Sequence, residues 1–134
     1  MSDKISKDHL PTSFGAFNPV GHLMVGVPPP AQAADALADA LCQAGWARDA
    51  VVHFTPSESI AEFEEMTQNP SLLAGFGYEI TLLRRYLALA RQGCRWLLVK
   101  VDDTDHAARA ADIALDHGAT LAVHYRSLIV EELI

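Results

Sequence analysis

Residues 71–92 read SLLAGFGYEITLLRRYLALARQ, and the role given to this stretch decides the fold. Leu72, Phe76, Ile80, Leu83, Leu87 and Ala90 recur at spacings of three and four, the apolar stripe of an amphipathic helix. Leu82, Tyr86 and Leu89 widen the stripe toward a second neighbour. Ser71, following Pro70, supplies the N-cap, and Gly93 the C′ residue. Gly75 and Gly77 each cost about 1 kcal/mol against alanine inside a helix. A kink or a close helix crossing accounts for them. No preceding strand and no GxGxxG or Walker spacing supports a phosphate loop. Just upstream, Pro56-Ser57-Glu58 opens a shorter helix with Ile60, Phe63 and Met66 inward. It carries Glu58, Glu62, Glu64 and Glu65, while Arg84, Arg85, Arg91 and Arg95 belong to the longer helix and its end. A helical hairpin lays these opposite charges near each other as solvated ion pairs.

On either side of this insert the pattern is strand, helix, strand. His22–Val27 (HLMVGV) is a buried strand, stopped by Pro28-Pro29-Pro30. Ala34, Leu37, Ala38 and Leu41 mark a helix from Ala31 to Ala44 that ends at Gly45, with Trp46 covering its end. Asp49–Thr55 is the second strand. After the insert, Arg95–Val101 (RWLLVKV) is a strand, and Asp102, Asp103, Thr104 and Asp105 crowd the next helix start, where capping oxygens are favoured. That helix runs through Ala107, Ala111, Ala114 and Leu115 to His117-Gly118, and Thr120–Arg126 is the last clear strand. The apolar tail SLIVEELI extends that strand or docks on a neighbour. The halves resemble each other: HLMVGV, alanine-rich helix, VVHF beside WLLVKV, alanine-rich helix, AVHY.

Two such units joined by a crossing element predict an α/β (α+β) fold. The expected form is a four-stranded ferredoxin-like sheet with the helical hairpin between its second and third strands. A doubly wound parallel sheet is the alternative. Residues 1–19 form an N-terminal arm, carrying Phe14 and Phe17, ahead of one domain over 20–134 with the helical insert at 57–92.

The span from Val25 to Pro56 joins a strand, an alanine-rich helix, Ala44-Gly45-Trp46 and a strand ending in proline. It resembles the start of bacterial general stress protein 17M-like domains. The resemblance covers about a quarter of the chain and implies a small cytosolic α/β protein, with no catalytic residue to carry over.

Composition narrows the function. The chain has 134 residues, half of them hydrophobic, and a formal net charge of −7, which disfavours nucleic acid and anionic membrane as partners. Neither a membrane-spanning run nor a signal-peptide core is found. Cys42 and Cys94 lie far apart without ligand spacing, so they read as thiols in a reducing cytoplasm. No cofactor motif is present.

Strand alternation sorts the side chains into two sets. The first holds Leu23, Val25, Val27, Val52, Phe54, Leu97, Val99, Val101, Leu121, Val123 and Tyr125, a surface for the alanine-rich helices. The second is mixed and contains Met24, Gly26, Val51, His53, Thr55, Trp96, Leu98, Lys100, Ala122, His124 and Arg126. Together with Tyr78 and Glu79 from the central helix, His53, Lys100, His124 and Arg126 form the candidate ligand-binding constellation, suited to a small anion or a carboxylate. His106 and His117 share a helix face but lie about 16 Å apart, too far for one metal.

Two function classes follow. The first is a non-enzymatic, homo-oligomeric binding or stress-related module. It would dimerise through the tail, the Phe14–Phe17 arm or the mixed sheet face, because the tail is too apolar to be left in water. The second is a small-molecule sensor or enzyme using the mixed face. The paired His53 and His124 invite a metal, yet in the plait they occupy opposite edge strands, roughly 14 Å apart. The protein is therefore expected to bind no stoichiometric zinc or copper through this pair. One ion per chain by metal analysis, lost in both His53→Ala and His124→Ala, would refute that.

Overall fold

The computed structural model describes residues 21–68, 80–125 and 130–134. Their order is β1 (His22–Val27), α1 (Ala31–Gln43), a 3₁₀ turn (Arg48–Ala50), β2 (Val51–Phe54), α2 (Pro56–Gln68), α3 (Ile80–Arg91), β3 (Arg95–Lys100), α4 (Thr104–Asp116), β4 (Leu121–Tyr125) and β5 (Val130–Glu132). The strands make one five-stranded sheet in the order β2-β3-β1-β4-β5, and every neighbouring pair is antiparallel. The fold is α+β. The doubly wound parallel alternative is overturned by these pairings. A sheet of four strands is corrected to five, because the tail returns beside β4 and pairs Tyr125 with Val130 and Val123 with Glu132.

Local chemistry sets the element ends. Thr55 and Glu58 form a capping box at the start of α2: Glu58 N–H donates to Thr55 Oγ1 at 3.3 Å and Thr55 N–H donates to Glu58 Oε1 at 2.9 Å. Asp103 caps α4, accepting from His106 N–H at 2.8 Å. Gly93, with φ of +96°, ends α3 in the left-handed region that a side chain would disfavour. Of the long helix expected from Ser71, α3 is the described part; Ser71, Gly75 and Gly77 lie outside the described residues.

Residues directly opposite each other in an antiparallel sheet share a face. The register therefore lines up Val51, Val99, Leu23, His124 and Glu131 in one row across all five strands. The neighbouring row, on the opposite face, is Val52, Leu98, Met24, Val123 and Glu132. The first face packs against α1 and α4 through Leu37, Leu41, Ala107 and Ala114. The second packs against α2 and α3 through Phe63, Tyr86, Leu87 and Ala90.

This corrects the sorting of β2 and β4. Val51 and Ala122 belong to the α1/α4 face, and Val52, Leu121, Val123 and Tyr125 to the α2/α3 face. Alternation yields two sets per strand but not their directions, and with both faces covered both sets are apolar. The mixed sheet face is consequently no open binding surface: α2 and α3 occupy it.

Trp96 anchors that second layer. It is fully buried, edge-on to Phe63 at 5.6 Å and tilted against Tyr86 at 5.1 Å. Its ring lies over Gly26, where a Cβ would meet Cζ3 at 2.9 Å. The Tyr86 and Tyr125 hydroxyls hydrogen-bond at 2.8 Å within the same layer. Arg85 reaches Glu132 at 2.8 Å and Arg91 reaches Glu64 at 2.7 Å, so one of the expected hairpin ion pairs forms and another arginine turns to β5 instead.

Gly26→Ala is expected to lower stability by about 1–3 kcal/mol in urea unfolding, through overpacking against Trp96. Tyr86→Phe and Tyr125→Phe should each destabilise, and the double variant by less than their sum, with a coupling of about 0.5 kcal/mol or more in a double-mutant cycle. Strict additivity would mean that the hydroxyl pair contributes nothing.

Candidate functional site

With both sheet faces closed by helices, polar side chains are displaced to strand ends and to the sheet margins. His124 is buried on β4, in register with Leu23 and Glu131, under the α1/α4 layer. His53 shares that face but lies on β2, opposite Leu97. Since β3 and β1 intervene, three strand spacings, roughly 14 Å, separate the two histidines. Lys100 ends β3 opposite His22, alternates to the α2/α3 face and is exposed. The structure therefore does not bring His53, Lys100 and His124 together. Tyr78, Glu79 and Arg126 lie outside the described residues, as does the Phe14–Phe17 arm.

What the fold does assemble is a cleft at the β2 margin. Helix α1 buries Ala34, Leu37 and Leu41, so its other side carries Asp35 and Asp39 one turn apart and exposed. The 3₁₀ turn then brings the chain back along the helix and places Arg48 across from Asp39, at 3.4 Å. Asp35, Ala38, Asp39, Cys42, Arg48, Val51 and His53 line a space of ≈ 170 Å³ between α1 and β2. Behind His53 stands Arg95, whose Nη1 is 3.5 Å from the imidazole Nε2. A guanidinium only donates, so in this contact Nε2 accepts and the ring proton belongs on Nδ1.

The walls of the cleft differ in charge. Two carboxylates come from the helix, and a guanidinium and an imidazole backed by a second guanidinium come from the turn and the strands. Ala38 and Val51 supply apolar surface between them. Although Asp35, Asp39, Cys42 and His53 are all potential ligands of a metal, no group of three or more such side chains is placed to hold an ion among the described residues. Of the lining residues, only His53 was singled out by sequence. Asp35, Asp39 and Arg48 carry the weak signal of two like charges one turn apart, followed by a cation just past the helix.

A second polar cluster is structural. Trp46 is buried, donates from its indole N–H to Lys100 O at 2.8 Å, and stacks on His106 with ring centres 4.3 Å apart. Arg109 lies over the same indole at 5.4 Å. Asp102 N–H donates to His106 Nδ1 at 3.0 Å, which makes that nitrogen an acceptor, so the Asp102 carboxylate at 3.7 Å is no charge partner through it. His106 is thereby a packing residue.

Of the surfaces expected to drive self-association, the described end of the tail pairs as β5, with Leu133 and Ile134 packed on the α1/α4 core, and α2 and α3 cover the second sheet face. Leu128, Ile129 and the Phe14–Phe17 arm lie outside the described residues. The β2 margin is closed at both ends by its own flanks, through Val51 N–H to Arg48 O and Thr55 N–H to the Glu58 carboxylate. Among the described residues, Leu115 is the exposed large hydrophobic. No helix among them is long and apolar enough to cross a membrane. Compared with known proteins, the chain matches no family model, no curated protein and no solved structure.

Both cysteines are free, Cys42 half-buried at the cleft and Cys94 buried before β3. Burial pushes the Cys94 thiol up from its ordinary range, partly offset by a hydrogen bond with Thr120. Iodoacetamide at pH 8 is expected to label Cys42 in the folded protein and Cys94 only on unfolding. Because the folded state holds the Cys94 thiol neutral, its contribution to stability is present below the thiol's unfolded value and is lost as pH rises through the raised one. Cys94→Ala should flatten that alkaline decline. Equal labelling of both residues in native protein would contradict the assignment.

Proposed function

We propose that this protein is a non-enzymatic binding module that takes a small polar ligand in the cleft between α1 and β2. A single observation carries the reading: polar side chains from three consecutive elements, two carboxylates, a guanidinium and an imidazole, border one open space, while helices close both faces of the sheet. The antiparallel order β2-β3-β1-β4 supports regarding the frame as a ferredoxin-like plait, with α2 and α3 inserted between its second and third strands and β5 added at one margin. On that frame α1 and the turn before β2 are the elements free to build a site, because their inward sides alone are needed for the core. Action in a reducing cytoplasm belongs to the same proposal and accords with the two free thiols. Self-association is not required by it.

The test is a two-dimensional amide NMR screen of the intact chain against a library of small charged metabolites. Shifts are expected to concentrate on Asp35, Asp39, Arg48, Val51 and His53. Ala38→Phe, which fills the cleft from the half-buried edge of α1, should abolish them at a cost of about 1–3 kcal/mol in unfolding free energy, since Ala38 also packs against the core. Perturbations confined to the α2/α3 layer, or unaffected by Ala38→Phe, would overturn the reading.

A further inference from the structure

The division of charge across the cleft defines the chemistry of its occupant. On the α1 wall, Asp35 and Asp39 present two carboxylates on one helix face. Across from them are Arg48 and His53, with the Arg95 guanidinium 3.5 Å behind the imidazole. A simple anion placed here would meet the two aspartates, and a simple cation would meet the arginines. A molecule carrying an ammonium at one end and a carboxylate at the other satisfies both walls at once.

Size agrees with this. A space of ≈ 170 Å³ has room for one small molecule. The apolar surface of Ala38 and Val51 suits a short aliphatic side chain. A metal ion is the competing occupant, and the donor atoms are not placed to share one.

We propose that the cleft recognises a small zwitterion of the α-amino acid type, an inference that rests on the cleft being the binding site. The ligand ammonium would pair with Asp35 and its carboxylate with Arg48. Asp39 holds Arg48 through one contact at 3.4 Å, with both side chains more than half exposed, and such a pair is weak enough to exchange for a ligand carboxylate. Because every charge involved remains in contact with water, each ionic contact is weak.

The experiment titrates the intact chain with L-valine, methylammonium and acetate, following amide shifts and the rate of Cys42 alkylation. L-valine is expected to shift the cleft residues, to slow Cys42 labelling, and to bind more tightly than either half-molecule. Asp35→Asn and Arg48→Gln should each weaken it about two- to fivefold, and Glu132→Gln, remote from the cleft, should not change it. If methylammonium or acetate alone shifts the cleft residues as strongly as L-valine, the zwitterion assignment falls while the cleft remains the site. If none of the three reaches the cleft but other library compounds do, the assignment falls likewise. If no charged compound perturbs it, both readings fall.

Discussion

The constraint on which the rest of this structure depends is the antiparallel clasp of β1 between β3 and β4. A strand paired on both edges and packed on both faces has no freedom of register, since a slip of one residue would exchange Leu23 and Val25 with Met24 and Gly26 between two differently shaped layers. With β1 held in this way, each alanine-rich helix must cross the same face to return its chain to the sheet. Their small residues allow the close approach: Ala34 on α1 and Ala107, Ala110, Ala111 and Ala114 on α4 are buried against it.

The opposite layer is built on different principles. Here bulk replaces smallness, with Trp96, Phe63, Tyr86 and Tyr125 filling the gap between sheet and helices. Gly26 is what admits the indole, because the absent side chain leaves the sheet surface open beneath the ring. Among the described residues the indole N–H finds no hydrogen-bond partner, a cost of about 1–3 kcal/mol offset by the large apolar area the ring removes from water. The exposed ion pairs Arg85–Glu132 and Arg91–Glu64 add under about 1 kcal/mol each and serve to orient rather than to hold.

Covering both faces has a consequence for where polar groups can gather. With helices on each side of the sheet, they collect at the margin beside β2. Charges at such a margin are screened by water, so the proposed site would select by their arrangement rather than by their strength. The pairing of a helix bearing carboxylates with a turn bearing an arginine is local in sequence, spanning Asp35 to His53, and forms as a direct result of one strand-helix-strand unit closing on the sheet.

The elements were largely legible in the sequence. Apolar period, proline stops and glycine C′ residues placed β1, α1, β3, α4 and β4 within a residue or two, Pro56 marked the start of α2, and the Asp103 helix start followed from capping chemistry. The mixed α+β class and the repeated half-units followed from the order of the elements, whereas the Thr55–Glu58 capping box at the start of α2 was seen only in the structure. The facing of β2 and β4 was not legible, because a strand buried on both sides has two apolar sets and only cross-strand register tells them apart. For the same reason His53 and His124 looked like partners of Lys100, although register turns Lys100 to the other face. The fifth strand was hidden as well, since an apolar tail reads alike whether it pairs within its own chain or with another. The sequence by itself determined which segments become helices and strands, because that choice is made by neighbours a few residues apart. Which side chains meet across the sheet, and hence where charge can gather into a cleft, was decided by tertiary structure alone, because it depends on hydrogen-bond register between segments tens of residues apart.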